Sequence, residues 1–165
     1  MEGLTYPDLH HAHAAEGWLD LNVPAEARLE LEQISAQART HPEVLDLRWR
    51  LASHIPDWND AVSVADQIIA AAPGIVTGWI HRSFALHELR RTAEALDNLI
   101  DAEARFPTDS LIPYNLACYA CQLGDLPQAR RWLKRALELK GIEKLRTLAL
   151  DDPDLAPLRS EIAEW

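Results

Sequence analysis

Apolar side chains recur at three- and four-residue intervals along most of this chain, the spacing that gathers them on one face of a helix. The pattern itself repeats. Ala27, Ala61, Ala95 and Ala129 stand 34 residues apart, each with a large aliphatic six residues ahead of it: Leu21, Ile55, Leu89 and Leu123. Two further columns are apolar throughout, Leu31, Ala65, Leu99 and Leu133 in one and Ile34, Ile68, Ala102 and Ala136 in the other. A fixed period of this length marks a stack of equivalent small units, none able to bury its apolar face alone. No β-branched run alternates long enough to predict a sheet.

Turn residues divide each unit into two helices. The breaks fall at Asn22-Val23-Pro24, Ile55-Pro56-Asp57, Leu89-Arg90-Arg91 and Leu123-Gly124-Asp125. His41-Pro42, Ala72-Pro73-Gly74 and Phe106-Pro107 separate one unit from the next. Proline is tolerated in a first helical turn, and Gly124-Asp125 combines a left-handed stop with a helix cap. The recurring alanine implies two helices crossing too closely for a larger side chain. These signals predict an all-α chain, one domain over residues 1–165, with four hairpins at about 8–41, 42–75, 76–109 and 110–141. Residues 142–165 read as a cap. Its first helix has helical spacing through Leu145, Leu148 and Ala149, and its second places Leu155, Leu158 and Ile162 inward. Asp152 is the N-cap, Pro153 the first helical residue, and Arg159, Ser160, Glu161 and Glu164 the polar outer side.

Two stretches carry a family likeness. Pro113-Tyr114-Asn115-Leu116-Ala117, Gly124-Asp125, Ala129, Leu133 and Ala136 form one; Trp79, Leu86, Ala95, Leu99, Ala102 and Pro107 form the other. They resemble the tetratricopeptide repeats, with the two N-terminal units the more degenerate; in the second and third units Arg48 and Arg82 fill a column usually aliphatic, and Trp49 one usually small. The resemblance implies an α-solenoid of about four hairpins and a cap, whose first helices line a concave peptide-binding groove. Its groove columns fall on Leu9, Ala12, His13, Glu16, Leu19 and Asp20, then on Glu43, Asp46, Leu47, Arg50, Ser53 and His54. The third unit supplies Thr77, Ile80, His81, Phe84, His87 and Glu88, and the fourth Leu111, Tyr114, Asn115, Cys118, Cys121 and Gln122. Asn115 matches an asparagine with which family members hold a ligand backbone.

Charge narrows the partner. The chain carries 26 acidic and 16 basic residues, a formal net charge of −10. That disfavours nucleic acid, which is held by clustered Lys and Arg. Ala12, Glu16, Asp46 and Arg50 stand where chaperone-tail clamps of this family carry Lys, Arg and Asn, so a C-terminal carboxylate is disfavoured too. A neutral or basic peptide with an apolar anchor fits better, with Ile80, Phe84 and Tyr114 as anchor sites. No apolar run reaches membrane-spanning length and the N-terminus lacks a secretion signal, which makes the cytoplasm the expected compartment.

Chemistry finds little purchase. No phosphate loop or nucleophile motif is present, so neither an enzyme nor a cofactor is expected. Cys118 and Cys121 form a C-x-x-C, but in mid-helix, away from the helix N-terminus that activates a thiol. His10, His11 and His13 cluster near Glu16 and Asp20, and His13, His54, His81 and His87 fall in groove columns. A metal- or redox-responsive protein is therefore the rival reading. A self-assembling scaffold or homo-oligomer, and a secretion-type chaperone of the kind found in some bacteria, are the others.

Overall fold

The computed structural model describes residues 3–165, and its regular structure is helical throughout. Helices α1 (Asp8–Asp20) and α2 (Pro24–Gln33) form the first hairpin, α3 (Pro42–His54) and α4 (Trp58–Ala71) the second. Helices α5 (Thr77–Glu88), α6 (Thr92–Arg105), α7 (Leu111–Gln122) and α8 (Leu126–Lys140) follow. The C-terminal part comprises α9 (Ile142–Asp151), a 3-10 segment Pro153–Leu158 and α10 (Arg159–Ala163). By packing, the chain divides into two compact units, residues 1–85 and 86–165.

The turns show why this sequence breaks every 34 residues. Val23 N–H donates to the Trp18 carbonyl, Asp57 to Ala52, Arg91 to Leu86 and Asp125 to Ala120, all at 2.8–2.9 Å. The residue before each of these donors takes a positive φ: 58° at Asn22, 24° at Pro56, 63° at Arg90 and 82° at Gly124. This is the hydrogen-bonded stop that satisfies the last carbonyls of a helix through one left-handed residue. Glycine and asparagine accept that conformation readily, whereas arginine is held in it at some cost. The following helix then starts on a cap in two of the four cases. Asp57 accepts from Asp60 N–H at 3.2 Å and Asp125 from Gln128 N–H at 3.0 Å. Pro24 and Pro127 lie in the first turns of α2 and α8, while Pro56 stays in the turn ahead of α4.

Packing follows the columns. Ala27, Ala61, Ala95 and Ala129 are all completely buried. In the first unit, Ala27 lies in one core with Ala12, Ala15, Leu19, Leu31 and Ile34, and Ala61 in another with Ala52 and Ala85. Both expected aliphatic columns are buried as well, from Leu31 to Leu133 and from Ile34 to Ala136. The column ahead of the alanines is different: Leu21, Ile55 and Leu123 are exposed, because it is the residue just before the left-handed stop. It marks register without filling core.

The degenerate columns have their own solutions. Trp49, where a small residue is usual, lays its ring flat on His81, with centroids 3.6 Å apart and planes 3° from parallel. Phe84 meets Trp49 and Trp58 edge-on at 6.2 and 5.7 Å. Arg82 reaches Asp66 at 2.7 Å, and Arg48 borders a cleft of about 300 Å³ with Arg28, Arg39, Glu32 and Asp60. Gly78 lets the backbone approach Ile68 and Ile69; a Cβ there would stand 2.9 Å from both side chains.

The cap is only partly as the pattern predicts. Leu145, Ala149, Leu155, Leu158 and Ile162 are buried, and Asp152 caps the next segment by accepting from Asp154 N–H at 2.9 Å. Leu148 shares the helical spacing of Leu145 and Ala149 yet is exposed, since α9 buries a face only about one residue per turn wide. The expected last helix is also split, as Pro157 lacks an amide hydrogen and the chain runs as a 3-10 segment up to Leu158.

Candidate functional site

The first unit holds a cavity of about 480 Å³. It is lined by Ala12, His13 and Glu16 of α1, Glu43, Asp46 and Leu47 of α3, and Thr77 at the start of α5, with Ile68, Ala72 and Ile75 also in the wall. Helical spacing explains the convergence: residues three and four apart share a face, and α1 packs beside α3. Seven residues of the expected groove columns thus border one space. Its chemistry is an apolar floor rimmed by three carboxylates.

Neighbouring side chains lock part of that rim. Arg50 reaches Asp20 at 2.6 Å and Glu16 at 3.4 Å. Asp46 accepts from His81 Nε2 at 3.1 Å, which fixes the imidazole against Trp49. His54, also expected in the groove, bonds instead to its own helix, with Nδ1 at 2.9 Å from the Arg50 carbonyl. Phe84 remains partly exposed at 39 %, and Ile80 is half-buried.

The second unit treats its groove columns differently. Tyr114 and Cys118 are buried, 5 % and 4 % exposed. The Tyr114 hydroxyl donates to Asp152 Oδ2 at 2.6 Å, and the Cys118 thiol faces the same oxygen at 3.6 Å. Gln122 Nε2 donates to the Asp154 carbonyl at 3.3 Å. His87 stands between Thr92, 3.0 Å from Nδ1, and the Asp154 carboxylate, 3.1 Å from Nε2, with its ring tilted against Tyr119. The segment around Asp152–Asp154 thus covers the face of α7 expected to meet a ligand. This corrects the reading of Tyr114 as an open anchor site: it is already engaged by the chain's own acidic turn. Leu111 and Glu88 are exposed and Asn115 is half-buried.

The thiols and histidines do not assemble into a chemical centre. Cys118 and Cys121 are both buried free thiols. Burial is the main reason that the Cys118 thiol is pushed well above its ordinary range, reinforced by Asp152 and Asp154. Cys121 is raised too, chiefly by burial and against the pull of Arg130. A thiol shifted this way is a poor nucleophile at neutral pH. Among the described residues no three His, Cys, Asp or Glu side chains converge as metal ligands. His11 turns to Glu30 at 2.7 Å, away from the His13 side of α1.

Sequence reasoning missed the partner of each internal pair. The Arg50–Glu16 and Cys118–Asp152 pairs are both 34 residues apart, the repeat itself, so complementary residues one period apart were the available signal.

Helical hairpins in 34-residue register define the tetratricopeptide class of fold, an all-α solenoid. Solved structures agree over nearly the whole chain. MamA from Desulfovibrio magneticus RS-1, residues 41 to the end, is 18% identical and superposes with a TM-score of 0.74, covering 98% of this chain and 96% of that one. TTC0263, a thermophilic tetratricopeptide protein of Thermus thermophilus, is 19% identical with a TM-score of 0.70, covering 95% and 97%. No family model and no curated protein matches the sequence. Among the described residues no helix is long and apolar enough to cross a membrane.

Proposed function

We propose that this chain is a non-enzymatic protein-interaction scaffold whose first unit receives a neutral or basic peptide segment with an apolar anchor. One observation carries the reading: the cavity of about 480 Å³ that joins Glu16, Glu43 and Asp46 to an apolar floor of Ala12, Leu47, Ile68, Ala72 and Ile75. Pockets of this kind bind by burying an apolar group and fix orientation with a few polar ones. Carboxylates at the rim favour an ammonium or guanidinium on the ligand and repel acidic segments. The surrounding charge supports this, since residues 1–85 carry 12 acidic and 5 basic side chains. The resemblance to tetratricopeptide repeats points to the same face.

The test is fluorescence anisotropy with a labelled peptide of alternating Leu and Lys, against the same peptide with Glu for Lys. The Lys peptide binds, and its affinity falls as salt is raised. The double variant Glu16→Gln, Glu43→Gln loses about five- to thirtyfold, since each rim charge contributes on the order of 0.5–1 kcal/mol. Equal binding of both peptides, or an unchanged affinity in the double variant, overturns the reading.

A further inference from the structure

We propose that the α7 face of the second unit is a carboxylate-binding site whose resident ligand is the chain's own Asp152-Pro153-Asp154 turn, and that this turn detaches to admit an acidic aspartyl segment of a partner. The proposal concerns a different face from the acidic cavity and does not rest on it.

Four groups serve the turn, three from α7 and one, His87, from the last turn of α5. Tyr114 Oη and Cys118 Sγ face one oxygen of Asp152, His87 Nε2 faces Asp154 Oδ2, and Gln122 Nε2 donates to the Asp154 carbonyl. Every one presents a hydrogen, and none brings a carboxylate. The Asp152 carboxylate is bound through both oxygens, since Oδ1 accepts from Asp154 N–H. Tyr114 and Cys118 are buried, so without an acceptor they would be left as costly unpaired donors. The chemistry selected is an acceptor-rich acidic turn.

The way the turn arrives marks it as an occupant. In the first unit α1 is flanked by α3, a first helix of the next hairpin. In the second unit α7 is instead covered by the 3-10 segment, to which the chain bends at Pro153 after α9 ends at Asp151. Buried Leu155, Leu158 and Ile162 hold that segment down, so the closed state is the resting one. A tethered ligand works at an effective concentration in the millimolar range, and an outside segment competes only when the tether's own contacts are weakened.

The probe is a fluorescent nonapeptide with the sequence of residues 150–158, titrated into the full-length protein. The wild-type chain does not bind it in the micromolar range. The variant Asp152→Ala, Asp154→Ala binds it saturably, at least about tenfold more tightly than wild type, the effect of losing two hydrogen bonds to charged groups from the tether. Adding Tyr114→Phe and His87→Ala abolishes that binding, as does replacing both aspartates of the peptide by asparagine. A folded double variant that ignores the peptide, or that binds the amide peptide equally well, overturns the proposal. Thiol labelling provides a readout should the variant fail to fold. In a Cys121→Ala background, Cys118 labels through a local opening with little denaturant dependence, faster than global unfolding allows. Labelling only at the global unfolding rate means that the turn never detaches, and the proposal fails.

Discussion

The two units clothe the same hairpin scaffold with opposite side-chain chemistry. On α1 and α3 the first-helix face is a cavity rimmed by Glu16, Glu43 and Asp46. On α7 the equivalent columns hold Tyr114, Cys118 and Gln122, and these meet carboxylates already supplied by the chain. Charge follows the same division: residues 86–165 carry 14 acidic and 11 basic side chains, against 12 and 5 in residues 1–85. The lesson is that register decides which residues meet, and side-chain identity then decides what they attract. Arg50 and Glu16 pair across 34 residues in one unit, while Cys118 and Asp152 pair across the same interval in the other.

The largest effect that would break this contrast is removal of what holds the acidic turn in place. Leu155 is fully buried, and Leu155→Ala is expected to cost about 2–5 kcal/mol by loss of transfer energy and creation of a cavity. Urea unfolding measures it, and a loss under about 1 kcal/mol would show the segment to be loosely seated.

A smaller effect sharpens the comparison at the turns. Arg90 has φ 63° where Gly124 has φ 82°. Arg90→Gly is expected to raise stability by about 0.5–1 kcal/mol, and Gly124→Ala to lower it by about 1 kcal/mol. Nothing lies within 4 Å of the Cβ that alanine would add at Gly124, so its loss is purely conformational. Thermal midpoints that move in the same direction for both variants would contradict the left-handed stop as the shared device.

The smallest effect is a pH dependence at Asp8 in the first unit. Asp8 accepts from the Ser35 amide and hydroxyl, both at 2.7 Å, and these bonds, with help from His11, hold its carboxyl below the ordinary 3.8. A carboxyl lowered in the folded state stabilises above its unfolded pKa and loses that contribution as pH falls through the folded value. Asp8→Asn therefore destabilises at pH 6 and converges on wild type near pH 2, as followed by urea midpoints. A constant difference across that range would mean that the Ser35 bonds do not depend on ionisation.

The sequence disclosed the repeat because its signals are local or strictly periodic. The alanine column reports a steric limit at every crossing, and Gly124-Asp125 spells out a stop and a cap in adjacent letters. Trp49 resisted the reading because its solution, a flat stack on His81, depends on a residue of another hairpin. The acidic turn resisted for a different reason. Asp152 was legible as a cap for Pro153, yet the same carboxylate has a second oxygen, and only the folded chain shows Tyr114 and Cys118 waiting for it. Likewise Arg50, expected to face a ligand, is spent on Glu16 and Asp20.

The most direct measurement is amide chemical-shift mapping of the wild-type protein during titration with the Leu-Lys peptide. Perturbations are predicted at Ala12, His13, Glu16, Glu43, Asp46 and Leu47, with Tyr114, Cys118 and Gln122 unmoved. Shifts centred on α7, or spread evenly over both units, would contradict the assignment of opposite chemistry to the two faces.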